Sequence, residues 1–337
     1  PNSQLESYFW LIFVVYFFLH VQFFSMANAL LGEGRVNIFN ILRASRFVLL
    51  NIAVTITYFT GHLTVQMAIY FQVVIGAVCM LAAFWALRMK FRPIWAMRQL
   101  NLSLLKRIFQ RGILIYLSNI ATFLNYKADV FIIKMFGNFG QVGFYTLAAG
   151  LVEKMWLFPE SMREVIFVEV ANQRKGKEFV ARLCRISFFV LATASLLLGV
   201  GAPFFIPLLY SKEFLPAVLP FIILLPGILI FSFSKLLASY FAAINMVKIN
   251  TYASILALVL NLGLNFWLIP KFGMNGAAIA STISYSAGAF LQVGLFLQRT
   301  KLPISAIFIL HRSDFALLNE LIRKILLKFG VSKWKKS

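Results

Sequence analysis

The sequence predicts an all-α polytopic membrane protein: a two-lobed helical bundle of two six-helix repeats, the first of them incomplete. Three observations carry this. The chain is 61% hydrophobic and only 13% charged, where soluble domains average about 45–50% apolar and about 25% charged. Its apolar residues gather into runs near the roughly 20 residues that cross a bilayer as a helix. Its 32 lysines and arginines fall in short clusters between those runs. A water-soluble core of 337 residues could not hide this much apolar surface, so lipid must act as the solvent.

Nine spans follow in order: 8–31, 46–60, 64–87, 112–136, 142–168, 184–210, 215–244, 251–269 and 274–298. The second is short, with room to begin as early as Ile41. If the side reached after the first span is the inside, the inside segments are 32–45, 88–111, 169–183, 245–250 and the tail from 299. Counting span-end residues with the nearer side, these segments hold 25 of the 32 bases. The outside turns hold Lys134, Lys212 and Lys271, and Lys127, Lys154, Arg163 and Lys235 fall within spans. Basic residues mark cytoplasmic segments, so the inside is cytoplasmic and the C-terminus lies there. The same clustering argues against nucleic acid as the reason for the net charge of +21. Cys79 and Cys184 suggest no disulfide framework, and His20, His62 and His311 are too scattered for a zinc set. No metal and no cofactor is expected.

Four regions result: three spans in 1–87, a cytoplasmic linker 88–111, a six-span lobe 112–298 and a cytoplasmic tail 299–337. The linker mixes bases with Trp95, Leu100, Leu104 and Phe109. The tail has Ser313 as a helix cap and Phe315, Leu318, Leu321, Ile322, Ile325 and Phe329 at helical spacing. Both read as basic amphipathic helices on anionic lipid. The segment 303–310 is too short to span.

The chain also looks duplicated. Arg35-Val36-Asn37 matches Lys248-Ile249-Asn250. Gly61, Ala68, Gly76, Ala77 and Phe84 match Gly273, Ala280, Gly288, Ala289 and Phe296 at an offset one residue smaller. Each copy runs span, basic turn, span, tight outer turn with Gly, span, in the same orientation, which is the parallel-repeat pattern. Six spans in the second half and three in the first predict three more before Pro1, which would also return the N-terminus to the cytoplasm.

Charges within spans are costly and therefore candidates for function. Asp129 and Glu153 are the acids. Lys127 lies two residues before Asp129 and on another face, and Lys154 points about 100° away from Glu153. Glu160, Arg163 and Glu164 have the spacing to pair with one another. Lys235 sits in the inner third of its span. Asn119, Asn125, Asn261 and Asn265 read as interhelical hydrogen-bond glue; His20 and Gln22 read as packing residues. Pro159, Pro203, Pro220 and Pro226, with Pro207, are hinge candidates because each removes a backbone hydrogen bond.

NFWLIPKFGMNGAAIASTISY, residues 265–285, resembles the eleventh-to-twelfth span signature of O-antigen and exopolysaccharide flippases. These form the polysaccharide transporter family within the multidrug, oligosaccharidyl-lipid and polysaccharide exporter superfamily. Asp129 followed by Val142-Gly143-Phe144-Tyr145 and Ala148-Ala149 resembles their seventh and eighth spans. The stretch from Leu209 to Phe214, with Ala217, resembles their ninth-to-tenth connection, except that Ser211 stands where Gly is usual. The resemblance implies a transporter, not an enzyme, that moves undecaprenyl-diphosphate-linked oligosaccharide across the bacterial inner membrane. Its partners would be that lipid-linked oligosaccharide, membrane lipids and other polysaccharide-assembly proteins. On that reading Lys235, Lys127, Lys154 and Arg163 are candidates for the diphosphate and sugars. Asp129 and Glu153 are candidates for a coupling ion, H+ or Na+. Two alternatives stay open: a drug or cation antiporter of the same superfamily, and a membrane glycan polymerase or ligase, against which the short outer loops argue.

Overall fold

The computed structural model describes residues 3–61, 64–87, 102–311 and 314. Residues 88–101 of the expected linker, His62, the Ser313 cap and the tail from Phe315 lie outside the described residues.

The described chain is helical from end to end: α1 (Ser3–Gly32), α2 (Val36–Phe59), α3 (Val65–Leu87), α4 (Leu102–Phe136), α5 (Phe139–Glu153), α6 (Leu157–Ala171), α7 (Lys177–Tyr210), α8 (Val218–Ala243), α9 (Val247–Thr300) and the short α10 (Ser305–Phe308). Every predicted span falls on helix. Among the described residues, six helices are long and apolar enough to cross a membrane: α1, α2, α3, α7, α8 with the 3-10 turn before it, and α9. The protein is a multi-pass, all-α membrane protein.

The structure corrects several boundaries. The second span begins at Val36, not residue 46. Arg46, tallied with the cytoplasmic bases, therefore stands about 15 Å along a membrane helix by helical rise. Residues 102–111, expected as part of a separate interfacial helix, are the first turns of the 35-residue α4. The span 142–168 is two helices, α5 and α6, joined by a 3-10 turn at Lys154–Trp156. Pro159 explains the break, since it lacks the N–H that would reach the Met155 carbonyl four residues back. Pro220 lies in the first turn of α8, where proline disturbs nothing, whereas Pro203, Pro207 and Pro226 lie inside helices that run on past them. The last two predicted spans are the arms of one 54-residue helix, α9, bent at Gly273 (φ 56°, ψ −136°). That backbone conformation is open essentially to glycine alone. Close packing at the bend also excludes a side chain at Gly276, where a Cβ would lie 2.4 Å from the Leu268 carbonyl oxygen.

The chain divides into two compact units, one through α3 and one from α4 onward. In the first, α1, α2 and α3 pack on one another around Phe23, Leu30, Leu42, Cys79 and Ala83. In the second, α8 and α9 are central. One core gathers around Tyr145, Trp156, Phe221 and Tyr285, and another around Ile166, Cys184, Phe233 and Phe296.

The two candidate repeat copies turn alike. After α1, Gly34 is left-handed (φ 76°); its N–H bonds the Leu31 carbonyl and the Arg35 N–H bonds Leu30. After α8, Asn245 is left-handed (φ 62°); its N–H bonds Ala242 and the Met246 N–H bonds Phe241. Both are Schellman closures. Gln173 after α6 makes a third, through Val170 and Glu169. At the opposite ends of α2 and of the first arm of α9, the matched glycines Gly61 (φ 72°) and Gly273 both take positive φ.

Candidate functional site

Lys235 projects from α8 in the second unit. Its Nζ lies 2.7 Å from Glu160 Oε1 and 4.5 Å from the centroid of the Trp156 ring. The rings of Phe231 and Tyr126 stand at 5.8 and 5.9 Å. Arg163 Nη1 donates to the other Glu160 oxygen at 2.9 Å. One carboxylate thus bridges two cations, one of them wrapped in aromatic faces. Tyr126, Trp156, Phe231 and Tyr285 form the box, with neighbouring centroids 4.9 to 6.0 Å apart. The Trp156 indole N–H is buried with no partner among the described residues.

A cavity of about 450 Å³ opens beside the box, lined by Glu153, Lys154, Trp156, Glu160, Tyr210 and Lys235 among others. Its size lies within the roughly 300–1,000 Å³ of small-molecule sites. Bases, acids and aromatic rings line it together, groups that suit an anion, hydroxyls and an apolar face respectively. Glu153 and Lys154, at the junction of α5 and the 3-10 turn, both border this cavity. Lys127 lies outside this lining, but its Nζ reaches to 3.9 Å from Glu153 Oε1.

Asp129 is elsewhere. Its carboxylate is buried in α4, accepting from the Val130 N–H at 2.8 Å, from the Ser281 hydroxyl at 3.2 Å and from the Tyr145 hydroxyl. A polar chain continues from it: Asn261 donates to Ser281 and Ser284, Ser284 to Asn125, and Asn265 to Asn261. Asn125 and Asn261 therefore bind helix to helix, whereas Asn265 bonds Asn261 one turn away on the same arm of α9 and Asn119 is exposed. A void of about 10 Å³ between Asp129 and Glu153, walled by Tyr126, Tyr145 and Tyr285, is near the lower limit for one water. The structure thus assembles Lys235, Lys154, Arg163, Lys127 and Glu153 around one region and sets Asp129 behind it. Nothing in the sequence marks the aromatic box. Its rings come from four separated elements in a chain with 37 Phe, 11 Tyr and 6 Trp, so no spacing singles them out.

Comparison with known proteins settles the family. A model described as "Polysaccharide biosynthesis protein" matches residues 20–219. The chain belongs to this family. As a member of it, the chain is 25% identical over 210 residues to the "Probable low-salt glycan biosynthesis flippase Agl15" of Haloferax volcanii; the match covers 58% of the chain and 44% of that relative. The chain thus spans less than half the length of the curated relative it matches. Among solved structures, this family member is similar to a mutant of the Vibrio cholerae MATE transporter VcmN, with a TM-score of 0.76 and 14% identity over 91% of this chain and 73% of that one. It is also similar to the lipid II flippase MurJ in an inward-closed conformation, with a TM-score of 0.61 and 18% identity over 96% and 66% of the two chains. At these identities the likeness is one of fold.

Proposed function

We propose that the protein transports a lipid-linked oligosaccharide across a membrane by alternating access, presenting the polar head of the substrate with a lined cavity while the lipid tail stays in the bilayer. In its finer form the proposal names an undecaprenyl-diphosphate-linked oligosaccharide, the bacterial inner membrane, a cytoplasmic C-terminus and a role in O-antigen or exopolysaccharide assembly. Coupling runs through Asp129 and Glu153 by H+ or Na+, and no catalytic step is involved. The observation that carries this reading is the Glu160-bridged pair of cations beside an aromatic box and a cavity, within a polysaccharide biosynthesis family member.

The chemistry is an exchange of anions. Lys235 and Arg163 each have a carboxylate partner in Glu160. An incoming diphosphate offers denser negative charge and displaces Glu160 from its two cations while Asp129 or Glu153 takes up the coupling ion. Loss of that ion on the far side lets Glu160 return to its cations and expel the diphosphate. Trp156 and Tyr126 hold the sugar during the exchange.

The test is transport in proteoliposomes of a fluorescent undecaprenyl-diphosphate oligosaccharide, read by a membrane-impermeant quencher. Lys235→Ala and Asp129→Asn should each lower the rate at least tenfold at normal protein level. Unchanged rates in both would remove the site. Proton-driven uptake of cationic dyes without movement of the glycolipid would favour the antiporter alternative.

A further inference from the structure

One end of the second unit holds charge that the candidate site does not use. Where α8 turns into α9, a cavity of about 400 Å³ lies against the first turns of α4. Arg107, Gln110 and Leu114 of α4 line it from one side, and Asn245, Lys248 and Ile249 of the turn and α9 from the other. The Arg107 Nε bonds the Ser103 carbonyl one turn back, at 3.4 Å. Among the described residues no carboxylate pairs with Arg107 or Lys248. Two cations from two helices thus border one cavity without a counter-charge. α9 also begins there with no side-chain cap, so its opening N–H groups have no partner within the helix and add partial positive charge at the same end. The Leu114 carbonyl accepts from the buried Thr251 hydroxyl at 3.0 Å, which fixes α4 to α9 at this level.

Depth in the bilayer decides the ligand. The apolar runs of α4 and α9 begin at Gly112 and Thr251, so Arg107 stands about 8 Å and Lys248 about 5 Å outside them by helical rise. The headgroup layer on one side of a bilayer is about 5–8 Å thick. Both cations therefore lie at the level of lipid phosphates, and Leu114 and Ile249 supply apolar surface on the inner side. We propose that the cavity seats one anionic phospholipid. Its phosphodiester lies between Arg107 and Lys248, its headgroup hydroxyls on the Gln110 and Asn245 amides, and its upper acyl carbons on Leu114 and Ile249. A zwitterionic lipid carries the same phosphate, but its ammonium returns a positive charge to a cavity that already holds two. A free phosphate would satisfy the cations and leave the apolar side unused. The inference is independent of the transport reading, since it concerns a lipid that stays bound and not what crosses the membrane.

The test is native mass spectrometry of the full chain, delipidated in dodecyl maltoside and titrated with dioleoylphosphatidylglycerol, dioleoylphosphatidylcholine or inorganic phosphate. One phosphatidylglycerol should bind at least tenfold more tightly than phosphatidylcholine, and inorganic phosphate in large excess should not displace it. Arg107→Gln and Lys248→Gln should each weaken binding about tenfold, the loss of one charge-assisted contact. Arg107→Lys and Lys248→Arg should keep most of the affinity. Lys106→Gln removes an exposed base next in sequence to Arg107 but outside the cavity lining, and should change nothing. All three side chains are exposed, so these variants should melt with the parent in detergent, and the lipid preference of the parent is read without any variant. Equal affinity of the parent for the two lipids, or an equal loss with Lys106→Gln, overturns the proposal. Displacement by inorganic phosphate assigns the cavity to a soluble anion and also overturns it.

Discussion

Removing one carboxylate should free the segment after α9. Asp314 is fully buried, and Arg185 grips it twice, Nε to Oδ2 at 2.6 Å and Nη2 to Oδ1 at 2.9 Å. Arg182 Nε adds a bond at 3.0 Å and the His311 N–H another at 2.9 Å. Arg185 also donates to the Ala306 carbonyl, so one guanidinium straps α7 to the segment containing α10. Burial alone would raise the Asp314 carboxyl. The hydrogen bonds from Arg185 and the His311 N–H, with the charges of Arg185 and Arg182, outweigh it and hold the group at about 2 against an ordinary 3.8. The gap between 3.8 and about 2 is worth roughly 2 kcal/mol before screening at the membrane surface, and about 1–2 after it. Because the folded value is the lower one, this stability is fully present above pH 3.8 and is lost as pH falls toward about 2. Asp314→Ala costs more than protonation, because it leaves Arg185 buried without its counter-charge; breaking a buried pair costs about 3–5 kcal/mol. Even a local opening eased by only about 2 kcal/mol speeds amide exchange roughly thirtyfold. The assay is hydrogen exchange by mass spectrometry on the amides of Ala306, Ile307 and Ile309, bonded within the α10 turn. Exchange within threefold of the parent at pH 7 would refute the strap.

Other changes have equally direct outcomes. Ser211 holds φ 114° where the resemblance expects glycine; Ser211→Gly should stabilise by about 1 kcal/mol, read as a higher melting temperature. Gly227→Ala would place a Cβ 2.6 Å from the Thr282 Cα, forcing α8 and α9 apart at a cost of about 1–3 kcal/mol, read as a lower melting temperature. Gly273→Ala should destabilise by about 1–3 kcal/mol through backbone strain, with the new Cβ also 2.9 Å from Gln141 Oε1, in the same assay. Trp156→Ala should weaken glycolipid binding at least tenfold in a fluorescence titration while leaving the Lys235–Glu160 pair formed. Trp156→Phe should retain part of the affinity through its ring.

The spans were legible because lipid demands long apolar runs and bases stay at their ends. Where a charge enters a span the rule misleads: Arg46 made the second span look short, yet α1 supplies Tyr16 and Phe23 to stack on it. The candidate site was half legible. Single charges such as Lys235 and Glu153 stand out against apolar sequence, but their partners depend on helix rotation. The pairing of Lys235 with Glu160 spans 75 residues and leaves no local trace. Glu153 and Lys154 border one cavity although neighbours in a helix point about 100° apart.

The three Schellman turns at Gly34, Gln173 and Asn245 are sealed by main-chain atoms alone. Side chains at Lys175 and Lys248 are then not needed to close them, whereas the Arg35 guanidinium also donates to the Ala86 carbonyl of α3. Orientation in the bilayer is thus written in an alphabet separate from the one that writes the fold. Reversing the charges of Lys175 and Lys248 should invert the protein in its membrane while their hairpins survive intact.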